Sequence, residues 1–166
     1  MYNLRKMFVM LSLGFGSGLP YILLISTTSA WLRDAGIELG LIGFFAWITF
    51  AYTIKFLWAP LVDRFSVPYF ARYGHRKSWI ALMQMIIISA LLLLSSIDPV
   101  QSFVFFCIVA GLIALAGSFQ DIAIDAFRIE YAHISDQGNL AAAYQLGYRL
   151  AIIAATSLAL IFADSN

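Results

Sequence analysis

An all-α, polytopic membrane helix bundle is the fold class this sequence predicts, and three observations predict it. Apolar residues make up 62% of the 166 residues, charged residues only 11%, and the mean hydropathy is +0.87. A soluble domain carries roughly 45–50% apolar and about 25% charged residues, so a water-facing surface could not be built from this composition. The apolar residues fall into five stretches of the length that a bilayer core of about 30 Å demands of a helix. Lipid leaves each backbone amide to be paired within its own segment, and the strict alternation of a membrane β-barrel is absent. A soluble enzyme, a nucleic-acid binder and a disordered chain are excluded at this point. The net charge of +1 implies no polyanionic partner.

The chain reads as one transmembrane domain, residues 1–166, with spans at about 7–31, 39–60, 78–97, 100–126 and 140–163. Span 1 follows Arg5-Lys6 and is too long for the core of a signal peptide, so it is read as a retained helix. It carries Gly14, Gly16, Gly18 and Pro20. Gly14 and Gly18 form a G-x-x-x-G suited to close helix packing, or else the segment is a locally broken helix beside a solute path. Span 2 ends at Pro60 and contains Lys55; Asp63-Arg64 and then Gly74-His75-Arg76-Lys77 connect it to span 3. Asp98-Pro99 separates spans 3 and 4. Span 4 ends in Gln120-Asp121-Ile122-Ala123-Ile124-Asp125, and Ser135 to Asn139 lead into span 5, which holds Arg149. Trp31, Trp58 and Trp79 at span ends suit an interfacial aromatic belt.

Orientation follows from the basic residues. With the N-terminus in the cytoplasm, inner segments hold seven (Arg5, Lys6, Arg64, Arg72, Arg76, Lys77 and Arg128) and outer segments hold Arg33 alone. This bias predicts an N-terminus inside and a C-terminus outside. The chain stops just after span 5, at Asp164-Ser165-Asn166, which reads as the front part of a longer protein.

Charges within spans are rare and usually face a bundle interior or a wet cavity, which makes Lys55, Asp121, Asp125 and Arg149 functional candidates. Arg149 falls roughly 15 Å along span 5 at about 1.5 Å per residue, near the midplane. Asp121 and Asp125 are four residues apart, so a helix sets both carboxylates on one face. Two acids this close repel when both are ionised, which suits them to taking up and releasing protons in a coupled carrier. Gln120 beside them can bond a polar ligand. A purely structural account stands alongside: the acids mark the wet end of span 4 and pair with Lys55 or Arg128 to hold helices together. Lys55 is also long enough to snorkel. His75 and His133 have no second ligand at metal-binding spacing, and Cys107 lies alone in an apolar run, so neither a metal site nor a disulfide framework is predicted.

Asp63-Arg64 with Gly74-x-Arg76-Lys77 resembles the G-x-x-x-D-R-x-G-R-[RK] signature between helices 2 and 3 of the major facilitator superfamily. Ala59 replaces the leading glycine and eight extra residues, Ser66 to Tyr73, part the two halves. That form is similar to one branch, the AmpG-type muropeptide permeases and the related acetyl-CoA transporters. Gly16-Ser-Gly-Leu-Pro20, Lys55-Phe-Leu-Trp-Ala-Pro-Leu-Val-Asp-Arg64, Gln120-Asp-Ile-Ala-Ile-Asp-Ala126 and Leu146-Gly-Tyr-Arg-Leu150 carry the likeness along the chain.

The resemblance implies an inner-membrane carrier of twelve or more helices that imports anhydromuropeptides with protons, two six-helix halves rocking about a central site. This chain would supply helices 1 to 5 of the first half, with the remaining half as a partner chain or a missing continuation. Asp63, Arg64, Arg76 and Lys77 would form a cytoplasmic gate, Asp121 and Asp125 would couple protons, and Lys55, Gln120 and Arg149 would face the solute. Arg149 would stand in for the helix-4 arginine of other superfamily members. No cofactor is expected, and the partners implied are the bilayer, protons, a small polar muropeptide-like solute and, where it is a separate chain, the remaining half. Two other readings remain: a non-transporting remnant or scaffold, and an integral-membrane enzyme using Asp121 and Asp125. The enzyme lacks further acidic ligands at matching depth and the motifs of phosphatidyl transferases and intramembrane proteases.

Overall fold

The computed structural model describes residues 4–67 and 74–164, with side chains to residue 158. Arg72 and most of the eight-residue insertion lie outside the described residues. Every regular element described is helical. In chain order these are α1 (Leu4–Ile22), α2 (Thr28–Asp34), α3 (Leu39–Ala46), α4 (Phe50–Thr53), α5 (Ala59–Arg64), α6 (His75–Ser95), α7 (Phe103–Tyr131) and α8 (Gln137–Asp164). Among the described residues three helical stretches are long and apolar enough to cross a membrane: Leu4–Asp34, His75–Ser95 and Phe103–Tyr131. A fourth is the bent pair Leu39–Thr53 and Lys55–Arg64, counted as one span. The chain is thus a multi-pass membrane helix bundle.

Two prolines lie in the spans. Pro20 has no amide to continue the ladder, and α1 passes through one π-helical turn, Leu23–Thr27, before resuming as α2. The Thr28 hydroxyl donates to the Leu23 carbonyl at 2.9 Å and closes that turn. Pro60 lies in the first turn of α5, where a missing amide is tolerated. The bend comes earlier: the helix breaks at Ile54, between Thr53 and Lys55, with an axis change of 44°, a 3₁₀ turn follows at Lys55–Leu57, and α5 carries the helix from Ala59 to Arg64, past the Pro60 end that the sequence suggested. Lys55 therefore sits at the bend.

Lipid provides no hydrophobic drive between helices, so close packing must hold this bundle together. The most extensive contact is between α1 and α8. On α8 the buried residues Ala143, Gly147, Ala151 and Ala155 recur every fourth position, and on α1 Met10, Gly14 and Gly18 do the same. A Cβ at Gly14 would strike the Tyr144 carbonyl, and one at Gly147 the Leu11 carbonyl. At Gly18 it would lie 2.9 Å from the Tyr148 carbonyl oxygen. The span 1 glycines thus form a packing face, and the break that the sequence offered as an alternative falls just after them.

On the other side, α6 packs along α7. Met83, Ile87, Ala90 and Leu94 of α6 and Phe106, Val109, Ala110 and Ile113 of α7 are buried in one cluster with Leu24, Leu32 and Phe45. Phe119 is stacked between Trp58 and Trp79, with ring centroids 5.9 and 5.8 Å away. These two tryptophans therefore pack helices together.

Candidate functional site

The polar residues of the spans gather where α1, α4, α7 and α8 meet. Asp121, one turn beyond Gly117 on α7, accepts a hydrogen bond from the Ser17 hydroxyl of α1. The Tyr144 hydroxyl of α8 lies 3.1 Å from Ser17 Oγ and 3.4 Å from Asp121 Oδ1. Three helices thus converge on one carboxylate through two hydroxyls. Around it stand more phenols: Tyr52 meets Tyr21 edge-on at 5.1 Å between centroids, and Tyr21 lies 6.1 Å from Tyr148. The Tyr52 tip occupies the space a side chain at residue 117 would need, and its buried hydroxyl has no hydrogen-bond partner among the described residues.

Asp125 is one turn further along α7 and has a different environment. Lys55 Nζ lies 3.6 Å from one of its oxygens and Arg128 Nη2 lies 3.5 Å from the other. The Lys55 and Asp125 side chains are 39% and 44% exposed, whereas Asp121 is part-buried between helices. The bend at Ile54 sets Lys55 against α7. The two acids that share a helix face in the sequence are therefore chemically distinct: one is held by neutral hydroxyls, the other by two cations.

A second cluster ties helix ends together. Arg76, at the start of α6, donates from Nη1 to Asp63 of α5 at 2.7 Å and from Nε to Glu130 of α7 at 2.9 Å. Its side chain is only 15% exposed, while those of Asp63 and Glu130 are 56% and 57% exposed, so the arginine is packed at the helix ends and its charge-assisted bonds lie at the surface. Gly74, at φ +97°, makes the turn into α6 in a conformation that favours glycine, and its carbonyl accepts from the Ser78 hydroxyl at 2.7 Å. His75 Nε2 lies 2.7 Å from the Val62 carbonyl oxygen, and Trp79 Nε1 donates to the Phe65 carbonyl at 2.7 Å. Arg64 is exposed. Lys77 extends over the Phe127 ring, 5.7 Å from its centroid.

The remaining candidates lie apart from both clusters. Gln120 is buried and lines a cavity of about 470 Å³ between α1, α6 and α7, together with Gly16, Lys77 and Gln84. Its Oε1 has no partner among the described residues. Arg149 lies on the exposed side of α8. Among the described residues no group of three His, Cys, Asp or Glu side chains is placed to hold a metal.

Sequence reading grouped Asp63 with Arg64, Arg76 and Lys77 as a gate and offered Lys55 or Arg128 as partners of the acids. It missed Ser17, Tyr144 and Glu130. For Tyr144 a signal existed: it stands one residue from the every-fourth-residue stripe of Ala143, Gly147, Ala151 and Ala155, which turns that part of α8 toward α1.

Comparison with known proteins fits this arrangement. Residues 6–108 match the family model described as acetyl-coenzyme A transporter 1. The chain is 34% identical over 163 residues to putative transporter AmpG 4 of Rickettsia conorii, covering 98% of this chain and 39% of that protein. It is 36% identical over 156 residues to the anhydromuropeptide permease of Escherichia coli K12, covering 94% of this chain and 31% of that protein. Putative transporter AmpG 1 of Rickettsia bellii is 31% identical over 154 residues, 92% of this chain and 38% of its own length. The chain therefore spans well under half the length of these relatives.

Proposed function

The chain belongs to the transporter family that joins the acetyl-coenzyme A transporters and the AmpG-type permeases, and from that membership we propose that it forms part of a proton-coupled importer of anhydromuropeptides in the inner membrane. In this reading α1 with α2, the bent pair, α6, α7 and α8 are five transmembrane helices of the first half of a major-facilitator-type fold. The N-terminus is cytoplasmic, by the clustering of basic residues at the end where Lys6 meets Tyr131 and Arg76 meets Glu130. The rest of the transporter, in the same polypeptide or another, closes the solute path.

The observation that carries the proposal is the split environment of Asp121 and Asp125. A carrier that couples two species needs a group that binds protons and a charged surface that meets solute. Asp121, enclosed by hydroxyls, suits the first. Lys55, half-exposed at a helix bend and balanced by Asp125, suits the second: an incoming carboxylate competes with Asp125 for the ammonium, which links solute binding to the state of that acid. Arg149 offers a further cation on α8. Asp63, Arg64, Arg76 and Lys77, with Glu130, serve as the cytoplasmic gate, because Arg76 links the ends of the second, third and fourth spans. No step of this account requires catalysis, which separates it from a membrane enzyme.

The test is uptake of labelled anhydromuropeptide by proteoliposomes holding the full-length transporter. For one proton per solute, a gradient of one pH unit is worth about 1.4 kcal/mol and sustains about tenfold accumulation. Asp121→Asn is expected to abolish that accumulation while sparing membrane insertion. Uptake that ignores the gradient, or a variant that keeps its pH dependence, contradicts the proposal.

A further inference from the structure

We infer that Ser17 and Tyr144 form a hydroxyl relay that loads and unloads protons at Asp121 across the α1–α8 seam. The inference rests on the proton-coupled reading above and assigns a path to it. Tyr144 Oη lies within hydrogen-bond range of Ser17 Oγ at 3.1 Å, and the Ser17 hydroxyl donates to Asp121 Oδ1. The direct Tyr144–Asp121 contact is longer, at 3.4 Å, so the ordered route runs through the serine. Ser17 is 5% exposed and Tyr144 half-buried, which places the tyrosine at the outer end of the chain.

Hydroxyls both donate and accept, whereas an ionised carboxylate only accepts. With Asp121 ionised, the chain is polarised towards it: Tyr144 O–H to Ser17 Oγ, Ser17 O–H to Asp121. A hydronium proton arriving at Tyr144 Oη displaces the tyrosine's own proton to Ser17 Oγ, and the serine's proton passes to Asp121. Each hydroxyl ends with one proton, Asp121 gains one, and the water is left neutral. The polarity is now reversed, with Asp121 donating to Ser17 and Ser17 to Tyr144, and release follows the same path backwards.

The seam keeps this chain in register. Gly14 and Gly18 touch the backbone of Tyr144 and Tyr148, and Gly147 touches that of Leu11, so α1 and α8 cannot slide without collision. The relay therefore works by reorienting hydroxyls between helices that stay together. The other groups acting on Asp121 are Lys55 from the helix bend, Asp125 on its own helix, Tyr52 from α4 and Tyr148 from α8. Lys55 and Asp125 are paired with each other and largely offset one another.

Tyr144→Phe keeps the ring and its packing and removes only the relay oxygen; Ser17→Ala breaks the chain at its middle. Two transport assays in proteoliposomes with the full-length protein separate a relay from a brace. Proton-driven accumulation of labelled anhydromuropeptide requires protons to come and go, whereas exchange of labelled for unlabelled solute does not. Each variant is expected to lose accumulation about a hundredfold more than it loses exchange, the lower end of what one positioned proton-transfer group contributes. Equal loss of both, or no loss of either, overturns the relay.

An infrared titration gives a second readout on the same protein. The protonated-carboxyl band that Asp121→Asn removes is expected to shift in Tyr144→Phe and in Ser17→Ala; an unmoved band overturns the inference. If the unaltered protein shows no proton-driven accumulation, the transport reading fails, and this band alone decides whether the hydroxyls engage the carboxyl.

Discussion

Gly147→Val is expected to prevent α1 and α8 from docking and to leave little folded protein. Its Cβ would overlap the Leu11 carbonyl, a backbone atom that cannot turn away, and the Phe15 amide nitrogen lies 3.0 Å from the same point. Relief requires the helices to separate along their most extensive contact, which costs at least about 3 kcal/mol, the upper end of ordinary overpacking. In a membrane this loss is not recovered by hydrophobic burial, because lipid tails solvate the parted faces as well as protein does. Gly43→Ala is the comparison: nothing lies within 4 Å of a Cβ there, and the residue is exposed on α3. Thermal unfolding and size-exclusion profiles in detergent should show Gly147→Val aggregated or strongly destabilised and Gly43→Ala close to the parent. Equal tolerance of the two would contradict the packing account.

The second large effect concerns charge at the bend. Asp125→Lys places a third cation beside Lys55 and Arg128, which lie 3.6 and 3.5 Å from the carboxylate it removes. Three like charges within about 4 Å repel, and although side chains that are 39% and 44% exposed screen part of that repulsion, the variant leaves Lys55 and Arg128 without the carboxylate between them. Loss of folded protein and of all uptake is expected. Adding Lys55→Asp returns an opposite charge to the site, so insertion and thermal stability should largely recover. Transport should not, because the ammonium now comes from α7 and the acid from the bend, which reverses the arrangement offered to an anionic solute. Recovery of proton-driven uptake in the double variant would reduce Lys55–Asp125 to a brace between helices.

Much of this architecture was readable before any coordinates. Span lengths are imposed by the bilayer, so the long apolar runs were enough to mark the chain as a multi-pass helix bundle. The likeness to a known signature singled out Asp63 and Arg76 as members of one four-residue group; that they meet at 2.7 Å comes from the structure. The bend at Ile54 was not legible, because no proline or glycine marks it: Pro60 lies six residues further on, in the first turn of α5. The Asp121 and Asp125 environments diverge for reasons held elsewhere in the chain: Ser17 and Tyr144 are 104 and 23 residues from Asp121 in sequence. The Ser17 hydroxyl, alone in an apolar helix, carries no signal until the packing around it is known, and Tyr144 is marked only by its place beside the small-residue stripe of α8. Glu130 was missed similarly, since it sits 54 residues from the arginine it engages.

The central claim is that the charged residues at the bend look onto an aqueous path. Cysteines placed singly at positions 55, 125 and 149 of the full-length protein, with Cys107 changed to serine, report this through their reaction with a charged, membrane-impermeant thiosulfonate and with a lipid-soluble maleimide. Fast reaction with the charged reagent at 55 and 125 is the predicted result, and at 149 it would place that arginine on the same path. Reaction of 55 and 125 with the lipid-soluble reagent alone would mean that these residues face acyl chains, and the carrier mechanism would lose its physical basis.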